Sequence, residues 1–422
     1  MGSAVLAAGV LAFYIYYHPP MRLMPAPLLF QGDDIPLADI APALTEGSMI
    51  DVFYGSNRFP VGSPDARIYS VAPDTRLHLG RAELRIGDES STLAQLYEWT
   101  TGVERDDRPF VHLERMREYA SLSIADEPEG ANEPAAAAWF EEINASLAAS
   151  PHKNVLVYIH GANTTVERAA GQAAMLRHFT GRNAVVVVFV WPTAENFLRY
   201  SRDIKNAYGS APRVVELITL LAEHTDAENI DVFTYSAGGT VGSDALGQLP
   251  HVAPAAAERL GHIIHAAPDA DQRKFIDDLA SYGPSANRVT ALVNMRDSAL
   301  LLSATVHRGA RAGRPVMPEL TEEASLRLLE AAREHRVNLV QIHPDNLAQT
   351  AATSHTFWYE DPWVGNDVIV SLLFGDLGPE QRQLVSGEAE SGTRYWTIPQ
   401  DYPDRLDALK EVIRAELTDR AQ

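Results

Sequence analysis

From residue 154 onward the chain alternates two kinds of apolar pattern. Short runs without polar alternation recur at Val155–Ile159, Ala184–Val190, Ile230–Thr234, Ile263–Ala267, Val289–Asn294 and Val337–Ile342. Segments with helical spacing lie between nearly all of them: Val166–Phe179, Ala211–His224, Gly239–Leu249, Arg273–Tyr282 and Thr321–His335. A short run apolar at every position suits a strand buried on both faces. Such strands separated by helices predict an α/β fold, a mostly parallel sheet with helices on both faces.

Before residue 154 the pattern leans towards β-structure. Ile50–Tyr54 reads as a strand. Leu77, Leu79, Ala82, Leu84 and Ile86 alternate, with a slip at Gly80-Arg81 that predicts a bulge. Glu104–Arg108 reads as a charged loop, Ala125–Pro134 as an acidic linker, and Pro134–Ala149 as a helix with proline in its first turn. After Gly375 comes an extension. Its Pro403–Thr418 segment is amphipathic, with Leu406, Leu409, Ile413 and Leu417 on one face, to be packed on the body or on a partner subunit. These changes divide the chain into residues 1–30, an apolar segment and tether; 31–150, a β-leaning extension and linker helix; 151–375, a catalytic core; and 376–422, the C-terminal extension.

Residues 2–17 carry no charge. As a helix they span roughly 24 Å, short of the ~30 Å of a hydrocarbon core. They read as a membrane anchor or uncleaved signal, with a buried start as the alternative. Tyr14, Tyr16 and Tyr17 suit a membrane interface. Residues 18–48 read as a tether or as a wrap over the surface. Pro19, Pro20, Pro25 and Pro27 suggest the stiff tether, which would hold the body off a surface. The expected location is therefore membrane-associated. The side is unreadable, since Arg22 is the only basic side chain nearby.

Charge narrows the partners. A net charge of −21 argues against nucleic acid and anionic lipid surfaces. With no cysteine there is no disulfide, thiolate metal site or cysteine nucleophile. There is no H-E-x-x-H, no G-x-G-x-x-G after a strand and no G-x-x-x-x-G-K-[ST], so neither a metal nor a nucleotide cofactor is expected. The expected partner is a small-molecule substrate; oligomeric state is not encoded in any readable pattern.

In parallel sheets ligands bind beyond the carboxyl ends of the strands. Reading those ends in order gives His160-Gly161-Ala162-Asn163, Trp191-Pro192, Ser236, Pro268-Asp269, Arg296-Asp297, and then His343 and His355. Tyr235-Ser236-Ala237-Gly238-Gly239 joins a strand to a helix through small residues, the form of a nucleophile elbow. Thr234 stands where the usual G-x-S-x-G has its first glycine. A serine, an acid and a histidine, in that order along one sheet edge, match a hydrolase triad. The acid is Asp297 or Asp269, and the histidine His355 or His343.

The segments VLVYIHGANTTVERAA, VVVVFVWPT, YSRDIKNAYGSA, IDVFTYSAGG, HAAPDADQRKF, NMRDSALLLS and SHTFWY resemble the α/β-hydrolases. They are most similar to a bacterial group of α/β-hydrolases of unknown function (domain of unknown function 900). The resemblance spans about residues 50–375 and implies a serine hydrolase, a carboxylesterase acting on ester or related acyl substrates. An acyltransferase using the same groups, or a catalytically dead scaffold tethered to a membrane, are the alternatives. It implies Ser236 as nucleophile, His355 as general base and acid, Asp297 as the orienting carboxylate, and the Ala162 and Ala237 amides as oxyanion hole. The D-x-A-L stretch favours Asp297, leaving Asp269 to cap the next helix, and SHTFWY favours His355, leaving His343 in a turn before Pro344. The group usually has histidine before its serine, where this chain has Tyr235. His160 reads as structural, Trp191 as pocket wall or core, and Tyr200 and Asp203 as lining the entrance or capping the helix Ala211–His224. His262, His265 and His307 read as structural or exposed.

Overall fold

The structure is a computed structural model that describes residues 20–31, 47–102, 108–123, 134–316, 337–347, 351, 353–389, 392 and 394–420. Its strands are β1 Met21–Arg22, β2 Met49–Val61, β3 Ile68–Ile86, β4 Phe110–Leu122, β5 Val155–Ile159, β6 Val185–Val190, β7 Ile230–Tyr235, β8 Leu260–Ala266, β9 Arg288–Val293, β10 Val337–Gln341, β11 Val385–Glu388 and β12 Arg394–Thr397. All join one 12-stranded sheet in the order β1-β4-β3-β2-β6-β5-β7-β8-β9-β10-β12-β11. From β2 to β12 along that order every pairing is parallel. The two margins are antiparallel. This is the mostly parallel, helix-covered sheet of the α/β-hydrolase fold, with the N-terminal strands added to one side.

The longer helices are α1 Leu93–Thr101, α2 Pro134–Ala149, α3 Val166–Phe179, α4 Tyr200–His224, α5 Gly238–Val252, α6 Gln272–Tyr282, α7 Ser298–His307, α8 Pro362–Leu373 and α9 Leu406–Arg420. Central strands face two cores because successive side chains alternate. In β5, Leu156 and Tyr158 face the core that also takes up side chains of α3, α8 and α9. Val155, Val157 and Ile159 face the other, with side chains of α2, α4, α5 and α6. An unbroken apolar run is what this two-sided burial requires.

Several elements differ from the sequence pattern. The bulge falls where Leu79 gives way to Gly80, but the extra residue is Tyr119 on β4, between Ala120 and Glu118. Neither β4 nor α1 has a strong period, and neither was anticipated. α4 begins at Tyr200, well before the expected start at Ala211, and carries Pro212 inside it. The segment Thr321–His335, most of Glu104–Arg108 and most of Ala125–Pro134 lie outside the described residues.

The prolines from Pro20 to Pro27 do not form a tether. Leu23, Met24, Leu29 and Phe30 are buried in the core. β1 pairs with β4, the Leu29 amide donates to Asn366 Oδ1 at 2.9 Å, and the Phe30 ring meets Phe179 edge-on. Apolar side chains at this density outweigh proline's preference for an extended chain. The C-terminal helix α9 covers the same region: Leu409 and Ile413 are fully buried in that core, so α9 packs on the body. Among the described residues no helix is long and apolar enough to cross a membrane. Residues 2–17 lie outside the described residues.

Candidate active site

β7 ends at Tyr235 and α5 begins at Gly238, leaving Ser236 to make the corner. Ser236 has φ 53°, a left-handed conformation unusual for a residue with a Cβ. It is held by the Ser236 amide, which donates to the Ala266 carbonyl at 3.0 Å. The Ser236 carbonyl accepts from the Gly239 and Asp269 amides, both at 2.8 Å. The neighbouring loop comes so close that a Cβ on Gly161 would stand 2.9 Å from Ser236 Cβ. Hence no larger residue fits at Gly161 without moving the corner.

Two other strand ends converge on this serine. His355 Nε2 lies 2.7 Å from Ser236 Oγ, and His355 Nδ1 lies 2.6 Å from Asp297 Oδ2. Asp297 is the N-cap of α7 and is wholly buried. Its second oxygen accepts from the Leu300 amide at 2.9 Å, which fixes the carboxylate plane. The His355 ring leans on Tyr235, with centroids 5.3 Å apart. Tyr235 thus supports the imidazole from the position before the serine.

The loop after β5 brings Ala162 to the same place. Among the described residues neither the Ala162 nor the Ala237 amide has a hydrogen-bond partner. Asp203, buried in the first turn of α4, accepts from the Asn163 amide at 3.0 Å and the Ala194 amide at 2.6 Å. It therefore ties down the loop that carries Ala162, while burial raises its own pKa. His160 stacks on Trp191 with centroids 5.4 Å apart, and Trp191 Nε1 donates to the His160 carbonyl at 2.7 Å. Burial, helped by the charge of Arg58, pushes the His160 pKa down to about 3, so the ring is neutral. His160 and Trp191 are core supports of the loop. Arg58, which no motif singled out, is fully buried and donates to the Trp191 and Thr164 carbonyls at 2.9 and 2.8 Å.

Asp269 and His343 are not joined to His355 or Ser236 through their side chains. The Asp269 carboxylate accepts from Arg311 Nε at 2.6 Å, from Ser303 Oγ at 2.7 Å and from the Tyr200 hydroxyl. It does not cap the helix that follows; Asp271 does, accepting from the Arg273 and Lys274 amides. His343 sits before the turn Pro344–Asn346 with its ring beside Tyr395, 6.4 Å between centroids, and burial lowers its pKa. His262 and His265 are buried and neutral, each held by side-chain hydroxyls. His307 rests edge-on against Tyr200. Arg311 and Ser303 went unnoticed in the sequence; an arginine among small residues, in Gly309-Ala310-Arg311-Ala312-Gly313, was the available signal.

A cavity of about 340 Å³ opens over Ser236 and His355, lined also by Ala162, Tyr200, Asp203 and Asp269 and by one side of α7. Among the described residues no three His, Asp or Glu side chains gather as a metal site requires. No curated protein matches the chain. The model of the family described as alpha/beta hydrolase of unknown function (domain of unknown function 900) matches residues 135–356, more than half of the chain. The elbow, both strand ends that meet it and the loop carrying Ala162 all lie inside that match, and the chain belongs to this family of α/β-hydrolases.

Proposed function

We propose that the chain is a serine hydrolase, a carboxylesterase that works through an acyl-enzyme on Ser236. One observation carries the reading: an unbroken line from Ser236 Oγ to His355 Nε2 at 2.7 Å and from His355 Nδ1 to Asp297 Oδ2 at 2.6 Å. A serine hydroxyl attacks a carbonyl well only when a base takes its proton. In this reading Nδ1–H donates a hydrogen bond to Asp297 and keeps its proton, so Nε2 presents its lone pair to Ser236.

The steps follow. Ser236 Oγ bonds to the ester carbon as its proton passes to His355 Nε2. The carbonyl oxygen gains the negative charge, which the Ala162 and Ala237 amides stabilise. The bond to the alcohol oxygen breaks, and His355 gives its proton to the departing group. Water then enters by the same route, its proton passing to His355 and on to Ser236 as the acid leaves.

The test is hydrolysis of p-nitrophenyl acetate by the purified chain. Ser236→Ala and His355→Ala are expected to lower kcat by about 10³-fold or more. Variants as active as the parent chain would overturn the assignment.

A further inference from the structure

We infer that the substrate is an ester without an anionic group, whose chain is apolar and longer than the cavity, so that it runs outward over Leu198, Leu302 and Val306. This rests on the serine-hydrolase reading of Ser236 and names the substrate class of that site.

The first support is the state of the polar groups in the wall. Asp269 is neutralised by Arg311 and receives the hydroxyls of Tyr200 and Ser303. Both oxygens of Asp203 are taken by backbone amides. Among the described residues that line the cavity no arginine or lysine appears, and the remaining polar ones besides Ser236 and His355, Asn163 and Ser201, are uncharged. A carboxylate or phosphate on the substrate would lose its water inside the cavity and find no counter-charge there, a penalty that disfavours it.

The second support is the shape of α7. Ala299, Leu302, Ser303 and Val306 share one stripe at helical spacing, and all four line the cavity. Ser303 is the single polar member, and it donates inward to Asp269. The stripe therefore presents only carbon to a substrate. Across the mouth stands Leu198, in the turn Phe197–Arg199.

The third support is exposure. Leu198, Leu302 and Val306 are 72%, 47% and 52% exposed, although each also lines the cavity. At about 340 Å³ the cavity is near the small end for ligand sites. A chain that overfills it meets these three side chains next and removes their surface from water. A short acyl group covers less of them.

The experiment is a series of p-nitrophenyl esters from acetate to octanoate, with a short carboxylate-ended acyl ester, whose charge stays inside the cavity, beside its neutral match. We expect kcat/KM to rise about tenfold or more across the series, as added methylenes are buried, and the carboxylate-ended ester to be at least about tenfold slower than its neutral match. In the triple variant Leu198→Ser/Leu302→Ser/Val306→Ser the octanoate-to-acetate ratio should fall by about tenfold. That ratio does not depend on how much of each preparation is folded. A flat series, a preferred carboxylate-ended ester or an unchanged ratio in the variant, in protein that still couples a fluorophosphonate at Ser236, overturns the apolar-chain assignment and leaves the serine-hydrolase reading standing. A folded chain that neither labels nor cleaves any ester overturns both.

Discussion

Asp269 holds Ser236 by the backbone and not by the side chain: its amide donates to the Ser236 carbonyl at 2.8 Å, while its carboxylate turns away to Arg311 at 2.6 Å. Asp297 is the converse: one carboxylate oxygen takes His355 and the other caps α7 by accepting from the Leu300 amide. The two acids follow neighbouring strands, yet they do different work. One secures the corner and one addresses the imidazole.

Exchanging each for asparagine should separate those roles. Asp269→Asn leaves Arg311 buried without its counter-charge, so stability should fall by roughly 3–5 kcal/mol, with a much smaller effect on kcat in the protein that remains folded. Asp297→Asn keeps the helix cap, since asparagine caps as well as aspartate, but presents the wrong proton to His355. Its melting should barely change while kcat falls by up to about 10⁴-fold. Denaturant melts and steady-state rates on both variants check this; reversed effects would make Asp269 the triad acid.

Thr234 is accommodated by a glycine one turn into α5. A Cβ on Gly242 would stand 2.5 Å from Thr234 Cγ2, and Thr234 cannot retreat because its hydroxyl is bonded to His265 Nδ1 at 2.7 Å. Gly242→Ala should therefore destabilise the chain by about 1–3 kcal/mol. Adding Thr234→Ser removes the methyl and keeps the hydroxyl, and should recover most of that loss. A double-mutant cycle by denaturant melts reads the coupling; additive losses would show that the two positions do not share this space.

The described N-terminal wrap begins at residue 20. A chain starting at residue 19 should melt like the full chain. A chain starting at residue 31 loses Leu23, Met24, Leu29 and Phe30 from the core. Each such side chain contributes roughly 1.5–3 kcal/mol, together comparable to a typical folding free energy of about 5–15 kcal/mol. This shorter chain should aggregate or fail to melt cooperatively. Equal melting of the two truncations would contradict the buried wrap. We further propose that residues 2–17 associate with membrane. The full chain should then sediment with vesicles in high salt, and the chain starting at residue 19 should not.

Much of this was legible in the sequence, and the reasons are local. β5 and β6 are apolar at every position because both faces are covered, and β7 departs from that only at the buried Asp231 and Thr234, which leaves a plain pattern. Ser236, Asp297 and His355 could be gathered from a distance because each follows a strand run at the same sheet edge. The partners of Asp269 could not. Tyr200, Ser303 and Arg311 come from three separate elements and meet only through folding, with no spacing to announce them. The wrap of residues 20–31 was obscured by its prolines, although Leu28, Leu29 and Phe30 form a small apolar run of the kind a core takes up. β4 was missed because its outward face is rich in charge: Glu114, Arg115 and Arg117 dilute the alternation.

The central claim is that Ser236 is the nucleophile, and intact-mass measurement after treatment with a fluorophosphonate tests it most directly. The account predicts a single adduct per chain, mapped by peptide sequencing to Ser236 and lost in Ser236→Ala, with slower coupling in Asp297→Asn. A folded chain that takes no adduct, or takes it at another residue, would contradict it.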